Sequence, residues 1–286
     1  MNADLDIRPS AIAGQWYPGD PQRLSLSVDR YIHDATLPEL KGEVVAIITP
    51  HAGHMYSGPV AGYAFAALQG YKPDIVAVVS PMHHPYNEPL LTTAHSAYET
   101  PLGAIPVDVE AVQMLNNLLE EELGYGLTRV RRDREHSLEI ELPFLQRVIQ
   151  SPFKLLPVMV RDQSVRVTRI LGQCLAKTLI GRNGVLVAST DLSHFYPQHI
   201  ANELDEEMLR CIEAFDPEAV ILAEEEGRGF ACGRGALAAV LWAAKDLGAD
   251  TVKLLHHATS GDVTGDTSQV VGYGAAVVLR RHSDVK

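Results

Sequence analysis

Short apolar runs rich in β-branched residues alternate along the chain with longer stretches in which apolar positions recur every three to four residues. The runs at 44–49, 74–80, 154–160, 185–190, 251–256 and 271–279 predict strands. Between them the helical period predicts helices near 21–33, 59–68, 107–123, 138–150, 165–180, 201–214 and 235–247. Strands that read as nearly continuous apolar runs are buried on both faces, which requires helices above and below a parallel sheet. The pattern therefore predicts an α/β fold over residues 1–286, a single-domain α/β/α sandwich with a largely parallel central sheet. Segment 138–150 carries two signals: Leu138, Ile140 and Leu142 alternate as in a strand, while Leu138, Leu142, Leu145 and Ile149 keep helical spacing. Pro143 fits only the first turn of a helix, so the expectation is a helix with an irregular start.

Composition narrows the function classes. Of 286 residues, 36 are acidic and 24 basic, a formal charge of −12 that repels a phosphate backbone. That argues against a nucleic-acid partner. No apolar run approaches the ~18 residues of a membrane helix, and segment 1–9 carries Asp4 and Asp6 and no apolar leader. Cys174, Cys211 and Cys232 show no C-x-x-C spacing, which excludes a cysteine-only zinc site and points to reduced thiols in a soluble, cytoplasmic protein without membrane attachment.

Candidate chemistry lies where strands end. Four runs lead into histidine-bearing segments: Thr49-Pro50-His51-Ala52-Gly53-His54, Ser80-Pro81-Met82-His83-His84, Thr190-Asp191-Leu192-Ser193-His194 and Leu255-His256-His257. Ligand crevices of open α/β sheets lie beyond the carboxyl ends of the strands, so segments distant in sequence are expected to converge there. His51 is held by its strand, which favours it over His54 as a ligand. His83 and His84 are adjacent, so on extended backbone their side chains diverge and one of them faces inward. Cys232 precedes an alanine-rich helical run beside Arg234, a setting that favours thiolate and makes it a metal ligand or nucleophile. Asp191 either orients His194 or caps a turn. His136, in Glu135-His136-Ser137-Leu138-Glu139, reads as part of a structural helix start.

Taken together, the chain resembles the Memo family, whose prokaryotic members are the B proteins of the AmmeMemoRadiSam system. The resemblance rests on Arg8-Pro9 with Ala13-Gly14-Gln15-Trp16-Tyr17-Pro18, Pro50-His51-Ala52-Gly53 with Tyr56-Ser57-Gly58, His83-His84, Glu135-His136-Ser137-Leu138-Glu139, Ser189-Thr190-Asp191-Leu192-Ser193-His194 and Cys232-Gly233-Arg234-Gly235. That family is similar in fold to the class III extradiol (LigB-like) ring-cleaving dioxygenases, whose non-haem iron is held by two histidines and a carboxylate. The resemblance implies a metal site at His51, His83 and Cys232, with His194 at the place of the acid/base histidine and Asp191 supporting it. It also implies a cleft lined by Trp16 and Tyr56, where peptide binding has been proposed for animal members, and a functional association with a radical SAM protein and an AMMECR-type protein. His54, His84 and His136 would be neighbours of the metal site. Cys232 stands where the dioxygenases have a carboxylate, and a His₂Cys set suits iron, copper or zinc. Met82 and His54 also depart from the family pattern.

Three functions follow as expectations. The first is a mononuclear iron or copper oxidoreductase, dioxygenase-like, in which His194 moves protons. A second is a binding scaffold that uses the same cleft for a small molecule or peptide. A third makes Cys232 a hydrolytic nucleophile with His194 as base.

Overall fold

The computed structural model of the protein describes residues 6–281. The expectation that segment 1–9 carries no apolar leader therefore lies in part, at 1–5, outside the described residues. In chain order the strands are β1 (Ile7–Arg8), β2 (Glu43–Thr49), β3 (Ile75–Pro81), β4 (Leu90–Thr93), β5 (Ala97–Thr100), β6 (Gly103–Pro106), β7 (Thr128–Val130), β8 (Lys154–Val160), β9 (Gly184–Ser189), β10 (His194–Tyr196), β11 (Thr251–Thr259) and β12 (Val270–Arg280). The helices are α1 (Pro21–Asp34), α2 (His54–Ala66), α3 (Val109–Leu123), α4 (Leu142–Val148), α5 (Val165–Leu179), α6 (Gln198–Glu213), α7 (Pro217–Glu225), α8 (Arg234–Asp246) and α9 (Ser260–Thr264).

Nine strands form one sheet. At its centre β2, β9, β3 and β8 run parallel, in that order. Every residue of β3 is buried, as expected for a strand covered on both faces. On one flank β12 joins β2 antiparallel and carries β11 and β10; on the other, β4 joins β8 antiparallel and β7 follows β4. A small separate sheet pairs β1, β5 and β6. Helices α1, α2 and α4 pack together on one face, with α2 on β2, β11 and β12, and α3, α5 and α8 cover the other, with α8 on β2, β3, β8 and β9. The result is an α/β/α sandwich with a mostly parallel sheet, the architecture the apolar pattern predicts. Among the described residues no helix is long and apolar enough to cross a membrane.

Caps explain several boundaries. Asp108 accepts from Ala111 N at 3.0 Å to start α3, and Gly124, at φ 82°, ends it in the left-handed conformation that glycine adopts without strain. Segment 138–150 resolves as expected into a 3₁₀ turn, Glu139–Glu141, followed by α4 with Pro143 in its first turn.

Two expectations are corrected. Helix α2 begins at His54 rather than 59, so Pro59 is interior; the carbonyl it leaves without an amide donor belongs to Met55, an exposed residue where water can serve. Strand β11 runs past 256 to Thr259, because β12 pairs with it along that whole length. His256 and His257 are thus mid-strand, on opposite faces: His256 stacks on Tyr63 of α2 at 4.3 Å, and His257 Nε2 lies 2.8 Å from the Asp205 carboxylate of α6. The fourth histidine segment does not join the other three.

Candidate metal centre

Parallel pairing of β2, β9 and β3 brings the segments that follow these strands to one edge of the sheet. His51 follows β2 and His83 follows β3. Their rings lie 5.2 Å apart, edge to face, and His136 joins them at 5.5 Å from His51 and 4.7 Å from His83. One ligand nitrogen from each of the three falls within 4.8 Å of the others, a separation that admits a single metal ion. His51 is buried, His136 is half-buried and His83 is exposed, so the group opens to solvent on one side.

Each ring has a partner at Nδ1. His51 Nδ1 is 3.0 Å from Ser189 Oγ and His83 Nδ1 is 2.9 Å from Glu135 Oε1, with His136 Nδ1 at 3.3 Å from the same oxygen. Such contacts fix ring orientation and leave Nε2 as the nitrogen that can face a metal. Burial, with the neighbouring imidazoles, holds the pKa of His51 well below the usual histidine range, and burial draws His136 down to about 4 against the pull of Glu135. Neutral imidazoles are the form that binds metal. Burial alone would raise the Glu135 carboxyl, but bonds from His83 and the backbone of Ser137, with the imidazoles beside it, hold it below the usual carboxylate range.

The segment carrying Glu135 and His136 is tied down by a buried charge knot. Arg8 donates to Asp133 at 2.8 Å and to Glu139 at 2.6 Å, with all three side chains at most 1% exposed. Glu139 also accepts from Ser10 Oγ, Ala11 N, Ile12 N and Tyr17 Oη, so one carboxylate fastens the N-terminal strap to the histidine segment. Trp16, on that strap, packs its ring on His136 at 4.1 Å. Sequence reading assigned His136 to a structural helix start; it lies in a loop that no period marks, and its signal was the acidic pair Glu135 and Glu139 around it.

Cys232 Sγ lies 3.1 Å from His51 Nε2, at the edge of the imidazole group. The expected activation of this thiol is absent, since Arg234 pairs with Glu224, and burial together with Asp191 pushes the thiol well above its ordinary pKa. Asp191 Oδ1 accepts from the backbone of His51 at 2.7 Å and Ala52 at 3.2 Å, so it anchors the His51 loop. Burial raises this carboxyl to about 7 despite those bonds. Among the described residues no hydrogen bond joins Asp191 to His194, whose Nδ1 instead donates to the Leu192 carbonyl at 2.7 Å. Burial lowers the His194 pKa as well, which leaves Nε2 of a neutral ring as a proton acceptor.

Of the remaining candidates, His54 is buried outside the group, with Nε2 at 3.0 Å from the Ile140 carbonyl and its ring against Phe144. His84 is half-buried and joins none of the ring contacts among the described residues. Trp16 and Tyr56 line a common cleft of about 510 Å³ with Phe195 and Tyr273. Phe195 holds φ 63°, a strained backbone for a bulky side chain, directly after His194.

The chain is 37% identical over 273 residues to a MEMO1 family protein of Nitrosopumilus maritimus, covering 94% of this chain and 98% of that one. A MEMO1 family protein of Methanopyrus kandleri is 34% identical over 287 residues, covering 96% and 99%. A solved structure, the uncharacterized protein JW3007 from Escherichia coli K12, aligns with a TM-score of 0.49 at 14% identity, over 82% of this chain and all of that one. The Memo-like protein family model matches residues 8–277, so a charge knot, an imidazole group and a cleft that span the chain all fall within one matched region, and the chain belongs to the Memo-like family.

Proposed function

We propose that the protein binds one transition metal ion at the sheet edge through His51 and His83, with His136 completing a three-imidazole face and Cys232 beside His51 as a further donor. The observation that carries this reading is the convergence of the His51, His83 and His136 nitrogens within 4.8 Å. The donor set supports it: three imidazoles, each with Nδ1 beside a polar partner and with a solvent-facing opening, suit iron, copper or zinc. An iron or copper ion there would supply a Lewis-acidic, redox-active centre, making the protein a non-haem oxidoreductase. His194, neutral and close enough to feel His83 electrostatically, would accept and return a proton from bound substrate through Nε2.

Elemental analysis and a metal-edge anomalous map of protein purified anaerobically test this reading. Stoichiometric metal in the wild type and background metal in His51→Ala are expected. Parallel His136→Ala and Cys232→Ala variants identify the third donor by which of them loses the ion. Full metal retention in all three variants would remove the proposed site.

A second reading, a binding scaffold, is favoured by the aromatic cleft, in which the exposed rings of Trp16, Tyr56 and Phe195 offer rigid contact area to a small molecule or peptide. Metal-independent titration of candidate ligands against Trp16→Ala would separate it from the first. The hydrolase reading lacks such an observation, because the Cys232 thiol sits against His51 with its pKa pushed up by burial and Asp191, and His194 is occupied at Leu192.

A further inference from the structure

Ser189 Oγ, the partner of His51 Nδ1, has three polar neighbours at bonding distance: the Ser137 carbonyl at 2.7 Å, Glu141 Oε1 at 2.7 Å and His51 Nδ1 at 3.0 Å. A hydroxyl has one proton to give and two lone pairs to accept with. The Ser137 carbonyl can only accept, so the hydroxyl proton belongs there. The remaining two contacts then need protons from the other side. If Glu141 were a carboxylate, two oxygens 2.7 Å apart would face each other with no proton between them.

We propose that Glu141 is an uncharged carboxylic acid that donates to Ser189, and that Ser189 thereby holds His51 as the Nδ1–H tautomer with its Nε2 lone pair presented to the metal position. Glu141 is a positioning residue in this assignment, acting on His51 through one hydroxyl. Its surroundings agree. The side chain is 1% exposed, its other polar neighbour is Thr49 Oγ1 at 3.4 Å, and no cation pairs with it among the described residues. The only charge that acts on it strongly is another acid, Asp191; burial and that neighbour both push its pKa well above the usual carboxylate range, against the bond with Ser189. A buried carboxylate without a cation or several N–H donors would be costly, whereas the neutral acid leaves each atom of the Ser189 node satisfied. The consequence at His51 is a tautomer set before any metal arrives.

The identity of the ligand set rests on the proposed function, so the test is read first on metal-free protein. Nitrogen-15 spectra of the histidine rings should show His51 protonated at Nδ1. Infrared difference spectra between wild type and Glu141→Gln, taken above the pH at which Asp191 ionises, should contain the carbonyl stretch of a protonated carboxyl. The amide of Glu141→Gln can replace the lost donor, so the His51 tautomer and metal affinity should stay close to wild type. In Glu141→Ala the tautomer should become mixed and metal affinity should fall about 10–100-fold, the usual cost of losing a group that orients a ligand. An Nε2–H tautomer in the wild type, or no protonated-carboxyl band lost in Glu141→Gln, would overturn the proposal. If band and tautomer are found but the protein takes up no metal, Glu141 keeps its role and the proposed function is what fails.

Discussion

Two pairs of histidines in this molecule have had opposite fates. His51 and His83 follow parallel strands that are neighbours of a common third strand, and their rings meet. His256 and His257 lie within β11, where antiparallel pairing with β12 sends one ring onto Tyr63 and the other onto Asp205. The difference lies in where the backbone stops being regular. A strand end releases the chain at the sheet edge, where residues far apart in sequence are brought together; a strand interior alternates its side chains between faces and separates them. Histidine in a short apolar segment is therefore informative only once the end of the strand is known.

Variants can break or sharpen this contrast. The largest expected effect is at Arg8, on which the sheet-edge group depends and the β11 pair does not. Arg8→Ala leaves Asp133 and Glu139 buried without their cation and should cost about 3–5 kcal/mol in denaturant unfolding. A loss below about 1 kcal/mol, within the range of an exposed ion pair, would mean that the knot does not hold the site.

Acid titration comes next. His54 has a folded pKa of about 4 because burial disfavours its charged form, against an ordinary 6.5. Between those values the unfolded chain binds a proton that the folded chain refuses, so stability present above pH 6.5 should fall by about 3 kcal/mol as the pH approaches 4. His54→Leu should flatten that part of the profile, and an unchanged slope would show that His54 is not held neutral. Glu135→Gln should then lower metal affinity about 10–100-fold without unfolding the protein, measured by competition with a chelator. Smallest of all are the effects on metal uptake at β11. His257→Ala should cost about 1–3 kcal/mol by leaving a buried Asp205 oxygen unpaired, and His256→Ala less, with metal content equal to wild type in both. Loss of metal in either would erase the contrast.

Much of the central sheet was legible because strands such as β3 and β8 are continuous apolar runs between turn-forming residues. Edges were less so. Strands β4, β7 and β10 are four residues or fewer, with polar positions that period alone cannot distinguish from loop. Helix α7 is nine residues long, too short for a helical period to stand out. In the site, His51 was legible from its strand end and the second ring was narrowed to His83 or His84, the resemblance pointing to His83, whereas His136 depends on Arg8, a contact 125 and 131 residues distant along the chain at Asp133 and Glu139. No local pattern carries such a pairing. Asp191 stands out in the sequence by its spacing from His194, but its bonds go to the backbone of His51 and Ala52, which only the folded loop reveals.

The Arg8 knot also has a consequence in time. Arg8 precedes in the chain, by 125 and 131 residues, the acids that neutralise it, so until they have been made its guanidinium has neither partner. Only when the segment around Glu139 has been made can the strap close and Trp16 come to rest on His136. The imidazole group is therefore completed late, by a clasp whose two halves lie 131 residues apart in the chain. Any cut or truncation that frees Arg8 would undo it from a distance, leaving every histidine of the group in the chain but no longer held together.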